Sequence, residues 1–222
     1  MMVILDAVLS AEDVALVRER LAASAWGDGR ATAGAAARDV KRNQQARGEE
    51  AAALQSFIRR ALERHPVFAS AARPKRISAI LLSRYSPGMA YGRHTDDAVM
   101  GAGERRLRTD FAFTLFLAPP ESYAGGALRV ESLLGVQEIK LEPGQAVLYP
   151  AGSIHEVTPV TAGERLAAVG WVESLVPGQA ERDVLFRLDQ ARAQLAAEGA
   201  SATALLQVDQ VASNLMRLWA RP

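Results

Sequence analysis

The chain contains no cysteine, which excludes disulfides, cysteine zinc sites, iron–sulfur clusters and thiol nucleophiles together. Any metal it holds must take nitrogen and oxygen ligands from His, Asp and Glu. Histidine is scarce as well, at three in 222 residues. An excess of either charge is also missing: 26 Lys and Arg stand against 25 Asp and Glu, so no long-range field favours nucleic acid or an anionic membrane. No apolar run reaches the roughly 18 residues that span a bilayer. The start MMVILDAVLSAED lacks the basic region and small-residue cleavage site of a secretory leader. A cytoplasmic protein with neither nucleic-acid nor membrane partners is expected. What the chain does have is apolar mass, 49% of its residues, enough to bury a core in one large domain with a small appendage.

Along the chain, Ser10 and Asp13 have the spacing of a helix N-cap, and Val14, Leu16, Val17 and Leu21 follow at roughly helical intervals to Ala23. The polar stretch AWGDGRATAGAAARDVKRNQQARGEE has no periodicity and reads as a long loop or ribbon. A second helix, EEAAALQSFIRRALERHPVF, is expected to stop at Pro66. From Arg76 to Val176, some eight short apolar or alternating runs separated by turn signals predict an antiparallel barrel or sandwich. After Pro177-Gly178 two helical segments follow, with Val184, Leu185 and Leu188, then Leu205, Val208, Val211 and Leu215, at three-to-four spacing. They predict a hairpin packed on the barrel, with a homodimer as the alternative use of an exposed apolar face. The expected division is residues 1–177 for the main domain and 178–222 for the helical extension.

The stretch YGRHTDD places His94 and Asp96 two residues apart, on one face of the chain if it is extended. His155 opens a strand after the turn PAGS and can be brought opposite by a barrel. Two histidines and a carboxylate on one face of an ion leave open positions, the arrangement of non-haem Fe(II) oxygenases, although Mn(II) and Zn(II) also suit such ligands. A bare His-X-Asp is equally compatible with two polar residues pairing at a surface. His65 ends a helix, where an imidazole has an ordinary structural use. On a strand, Arg165 shares a face with Ala167, Val169 and Trp171. An arginine there is an unpaired buried charge unless an anion such as a carboxylate meets it. The other reading is a barrel-mouth arginine paired with solvent or Glu164.

The segments RYSPGMAYGRHTD, RTDFAFTLFLAPPESYAGGALRV and PGQAVLYPAGSIHEVTPVTAGERLAAVGWVESLV resemble the bacterial PKHD-type hydroxylases. These belong to the prolyl-4-hydroxylase-like branch of the Fe(II)/2-oxoglutarate dioxygenases. The resemblance runs through nearly the whole chain, with DVKRNQQ early and LFRLDQ late, and is strongest from Ser83 to Val176. It implies a double-stranded β-helix, or jelly roll, mainly β with flanking N-terminal helices and a C-terminal helical hairpin. Fe(II) would be held by His94, Asp96 and His155, and 2-oxoglutarate by Arg165 with Tyr85. O2 would be the second cosubstrate and L-ascorbate the reductant. Tyr91, Lys41 and Asn43, with Gln44, match segments near the substrate entrance. Tyr85 and Tyr91 also read as ordinary strand aromatics, and Lys41, Asn43 and Gln44 as a solvated loop.

The implied activity is hydroxylation of an unidentified primary substrate, a peptide or small molecule, with release of succinate and CO2. The resemblance also suggests a link to iron homeostasis. The alternatives are a cupin-like metalloenzyme that does not use 2-oxoglutarate, a non-catalytic iron or 2-oxoglutarate sensor, and a jelly-roll interaction module without metal.

Overall fold

The computed structural model describes residues 1–34, 37–133 and 135–222. Strand β1 (Val3–Leu5) leads to α1 (Ala11–Ala22), whose start is a full capping box. Ser10 Oγ accepts from the Asp13 N–H, and the Asp13 carboxylate accepts from the Ser10 N–H. The polar stretch that follows takes the ribbon form, as β2 (Ala25–Asp28), β3 (Lys41–Arg42) and β4 (Gln44–Arg47). Helix α2 (Glu49–Arg64) ends before Pro66, where His65 alone is extended (φ -76°, ψ 117°) before a new helix begins. Pro66 instead opens α3 (Pro66–Ala72), at a position whose N–H is not needed. His65 serves this second helix rather than the end of the first. Its Nδ1 accepts the Phe68 N–H at 3.3 Å, so Nε2 carries the proton and donates to the Asp6 carbonyl at 2.7 Å.

The remaining strands are β5 (Pro74–Ile77), β6 (Leu81–Tyr85), β7 (Ala90–His94), β8 (Val99–Met100), β9 (Leu107–Arg108) and β10 (Phe111–Phe116). They continue as β11 (Tyr123–Gly125), β12 (Leu128–Ser132), β13 (Gly135–Ile139), β14 (Ala146–Pro150), β15 (His155–Val157), β16 (Val160–Gly163) and β17 (Arg165–Ser174). The larger sheet runs β1-β14-β10-β17-β6-β4-β2, with β5 beside the end of β17. The smaller runs β13-β12-β15-β7-β3, and all these pairs are antiparallel. The early ribbon therefore extends both sheets, β2 and β4 the larger and β3 the smaller.

Period-2 alternation divides the larger sheet into two buried faces. In β10, Phe111, Phe113 and Leu115 enter the core beneath the helices, while Ala112 and Phe116 enter the core between the sheets. Strand β14 repeats the division, with Ala146 and Leu148 on the helix side and Val147 and Tyr149 inside. Burial on both faces accounts for the unbroken apolar run FAFTLF. Val17 and Leu21 of α1, Leu54, Ile58 and Leu62 of α2, and Phe68 of α3 complete the outer core. Each such side chain contributes about 1.5–3 kcal/mol on burial. Two facing antiparallel sheets with helices against one of them make the expected jelly roll.

The C-terminal hairpin is α4 (Gln179–Ala197) and α5 (Ala202–Trp219), joined by an Arg192–Asp209 ion pair. Helix α4 meets the helical layer: Arg73 pairs with Asp189 at 2.7 Å. Its buried positions are Arg182, Leu185 and Phe186, whereas Val184, expected on the apolar face, is exposed. Arg182 takes that inward place because it can donate to the carbonyls of Val176 and Pro177 while lying over the Phe111 ring. All of α5 is at least partly exposed.

Candidate active site

Strand register brings the scarce histidines together. In the β7–β15 pair, His94 and His155 are direct cross-strand partners, and their rings lie 4.3 Å apart. Asp96 follows β7 by two residues and turns back, its Oδ2 standing 3.8 Å from His155 Nε2. One ligand atom from each of the three lies within 4.8 Å of the others. Each imidazole is oriented by the carbonyl two residues before it: His94 Nδ1 donates to Gly92 O at 2.7 Å and His155 Nδ1 to Ser153 O at 2.9 Å. A carbonyl can only accept, so both Nε2 atoms present lone pairs to the cavity.

Among the described residues, His94 Nε2 and Asp96 Oδ2 are buried without a hydrogen-bond partner. Buried polar atoms are rarely left so. A divalent cation between the three side chains would satisfy both, and the donor set of two imidazoles and one carboxylate suits Fe(II). Burial, followed by the neighbouring His155, pushes His94 down to about 4, so its imidazole is neutral and ready to ligate at neutral pH. Burial pushes the Asp96 carboxyl up, opposed by His155 and by the Trp171 indole.

The cavity around these groups encloses about 50 Å³. At its far wall is Arg165, the first residue of β17 and the register partner of Tyr85. Arg165 is 1% exposed, with its guanidinium 5.2 Å from the Tyr85 ring and 5.5 Å from the Phe116 ring. Its Nε and Nη2 have no partner among the described residues. Glu164, the local acid that could have neutralised it, lies near Arg84 instead, at 3.6 Å. The pocket is thus a cation waiting for an anion, with rings rather than carboxylates around it.

Lys41, Asn43, Tyr85 and Tyr91 all line the same cavity. Tyr91 stacks on His94 with centroids 3.7 Å apart, and Lys41 Nζ stands 5.0 Å from the Tyr91 centroid. Lys41 and Asn43 are buried, so the solvated-loop reading fails for both. Burial pushes the Lys41 ammonium down to about 8, against the attraction of Asp96 and Asp28. Asn43 is held over Gly29, where a Cβ would stand only 1.8 Å from its Oδ1. Gln44 is not at the site: it accepts from Arg84, which stacks on Trp26. His65 is also remote, at the α2–α3 junction.

Two lining residues, Tyr149 and Thr114, and one behind Arg165, Tyr123, were not anticipated. Tyr149 meets His155 edge-on at 5.3 Å, with Thr114 beside it on the same wall. Tyr123 leaves a buried hydroxyl without a partner beside Arg165. The one sequence signal for Tyr123 is the following Gly-Gly pair. Gly126 has φ +63°, and a Cβ there would stand 3.1 Å from the Tyr123 ring and 3.2 Å from Arg165 Cδ. The glycine lets the backbone pass close to both side chains.

Comparison with known proteins agrees with this geometry. Residues 80–173 match the family described as the 2OG-Fe(II) oxygenase superfamily. The chain is similar throughout to a PKHD-type hydroxylase of Acidovorax ebreus, 47% identical over 227 residues and covering 100% of both chains. A PKHD-type hydroxylase of Hyphomonas neptunium is 42% identical, over 98% of this chain and 99% of its own. Among solved structures, a Pseudomonas putida prolyl-4-hydroxylase superposes with a TM-score of 0.53 at 22% identity, over 78% of this chain and 92% of that one. A Trichoplax adhaerens prolyl hydroxylase, in complex with a hypoxia inducible factor oxygen degradation domain peptide fragment, gives 0.58 at 17% identity, over 78% and 83%. At those identities the two structures speak for the fold.

Proposed function

Because the chain belongs to the PKHD-type hydroxylases, a family of iron- and 2-oxoglutarate-dependent dioxygenases, we propose that His94, Asp96 and His155 hold Fe(II) and that Arg165 binds 2-oxoglutarate. With Fe(II), 2-oxoglutarate and O2 bound, the centre supplies oxidative decarboxylation to succinate and CO2 and hydroxylation of a substrate carbon. The observation that carries the reading is the matched set of unsatisfied buried atoms: two metal-facing ligands at one wall, and a guanidinium at the other.

The chain's residues do the positioning. Gly92 O and Ser153 O keep the two Nε2 lone pairs turned inward. Arg165 takes the far carboxylate of 2-oxoglutarate through a paired contact, and Tyr85 supports it from the adjacent strand. Leu128 and Val157 line the cosubstrate space, and the Phe116 ring backs Arg165, giving apolar walls that exclude water. Tyr91, Lys41 and Asn43 form the substrate-side wall.

The same reading carries L-ascorbate as the reductant that keeps the metal as Fe(II), a cytoplasmic place of action and a link to iron homeostasis. The primary substrate is a peptide or small molecule, and neither nucleic acid nor membrane is a partner. Near-neutral charge supports this, as does the finding that no described helix is long and apolar enough to cross a membrane. Residues 1–177 act as the dioxygenase unit, with 178–222 as an extension docked on α3. Exposed Leu206, Val211 and Leu218 of α5 favour a homodimer.

The test is aerobic turnover of 2-oxoglutarate with added Fe(II). Succinate should form with the native protein and fall to background in His94→Ala, Asp96→Ala and His155→Ala. Undiminished succinate in any of the three would remove that residue from the metal centre.

A further inference from the structure

Among the described residues lining the cavity, Lys41 carries a charge that this chemistry does not use. It is 4% exposed. Its Nζ donates to Thr32 Oγ1 at 3.1 Å, and an ammonium has two further N–H groups to place. Thr32 cannot swing to serve them, because it also bonds Gly29 O and the Gln45 amide. The neighbouring carboxylates are turned elsewhere. Asp28 is paired with Arg30 at 2.6 Å and Asp96 faces His155. Asp97 lies against Gly34, where a Cβ would stand 2.2 Å from its Oδ2. A buried cation with one hydroxyl and the face of the Tyr91 ring beside it is unfavourable unless an anion arrives.

Position and charge both narrow what that anion is. Lys41 lies on β3 opposite Tyr91, whose ring stacks on His94, so the ammonium sits one ring away from the ligand set. Arg165 belongs to the other sheet and faces Tyr85. In the loaded site, the charges of Fe(II) and Arg165 are balanced by Asp96 and the two carboxylates of 2-oxoglutarate. Lys41 is left over. We propose, on the strength of the dioxygenase reading, that Lys41 receives the carboxylate of the primary substrate, which is therefore a small organic acid. The enclosed part of the cavity is small, about 50 Å³, which favours a small molecule over a bulky one.

The probe is acetate, with acetamide as its neutral isostere, added to protein loaded with Mn(II) and saturating 2-oxoglutarate. Mn(II) relaxes nearby protons, so the acetate methyl reports occupancy near the metal without turnover. We expect acetate to relax faster than acetamide. The difference should vanish in Lys41→Met and persist in Lys41→Arg. Acetate relaxing no faster than acetamide, or as fast in Lys41→Met as in native protein, overturns the proposal. Calorimetric titration of 2-oxoglutarate into the same samples separates the two levels. Binding of 2-oxoglutarate without an acetate effect rejects the Lys41 role alone, whereas no binding rejects the dioxygenase reading and this one with it. Should Lys41→Met itself fail to bind 2-oxoglutarate, Lys41→Gln takes its place.

Discussion

Replacing Arg165 by Met should affect binding and folding very differently. Met keeps the length and apolar stem of the side chain while removing the charge. In the loaded protein, Arg165 would make two charge-assisted hydrogen bonds to a carboxylate, each worth about 1.5–3 kcal/mol. Losing about 3–6 kcal/mol weakens 2-oxoglutarate binding by roughly 10²–10⁴-fold, since about 1.4 kcal/mol is a factor of ten. In the ligand-free protein, the guanidinium has unpartnered Nε and Nη2 atoms, and removing such a buried charge is often neutral or favourable. Opposing this, its contacts with the Tyr85 and Phe116 rings are worth about 0.5–2 kcal/mol. The two nearly cancel, so ligand-free stability should move by no more than about 2 kcal/mol. Anaerobic titration of 2-oxoglutarate into the Fe(II)-loaded protein reads the first effect, and denaturant unfolding of the bare protein the second. An unchanged affinity would refute the anion role. A large loss of ligand-free stability would mean that Arg165 is a structural strut.

Gly126→Ala should weaken 2-oxoglutarate binding at least about tenfold, because a left-handed residue costs ~1–2 kcal/mol and the new methyl crowds Arg165 and Tyr123. Gly88→Ala, also left-handed but with open space around it, should cost similar stability and leave that affinity intact. Asp110 accepts from Arg108 at 2.7 Å and from the Ser174 N–H at 2.8 Å, and lies 3.8 Å from buried Arg182. Asp110→Ala should therefore destabilise the fold by about 3–5 kcal/mol, read as a lower denaturation midpoint. In metal-free protein, His94 has a folded value of about 4 against about 6.5 in the unfolded chain. The folded state thus binds fewer protons across that window, and the His94 contribution to stability falls as pH drops through it. Imidazole NMR near pH 5 should show His94 neutral, and a protonated ring there would contradict the assignment.

Much of this was legible because the central strands carry strong local patterns. FAFTLF and AVLY are buried on both faces, and the alternation in RLAAVGW put Arg165 on the inward face with Ala167, Val169 and Trp171 before any partner strand was known. The β2–β4 ribbon was harder to read. Its residues are polar, and its pairing depends on β6 and β7, distant in sequence. Helix α3 is seven residues long, too short for periodicity to show. At the site, the residue types of the metal set were visible, but the register joining His94 to His155 belongs to the fold. Tyr123 and Tyr149 look like packing residues until the unpartnered hydroxyl of one and the edge-on contact of the other are seen.

The central claim is that His94, Asp96 and His155 hold an iron to which 2-oxoglutarate binds. The most direct measurement is anaerobic: Fe(II) and then 2-oxoglutarate are added to metal-free protein while the visible spectrum is followed. A metal-to-ligand charge-transfer band that saturates with 2-oxoglutarate and is absent in His155→Ala is the predicted result. Iron binding with no such band, or a band that survives in His155→Ala, would contradict the account.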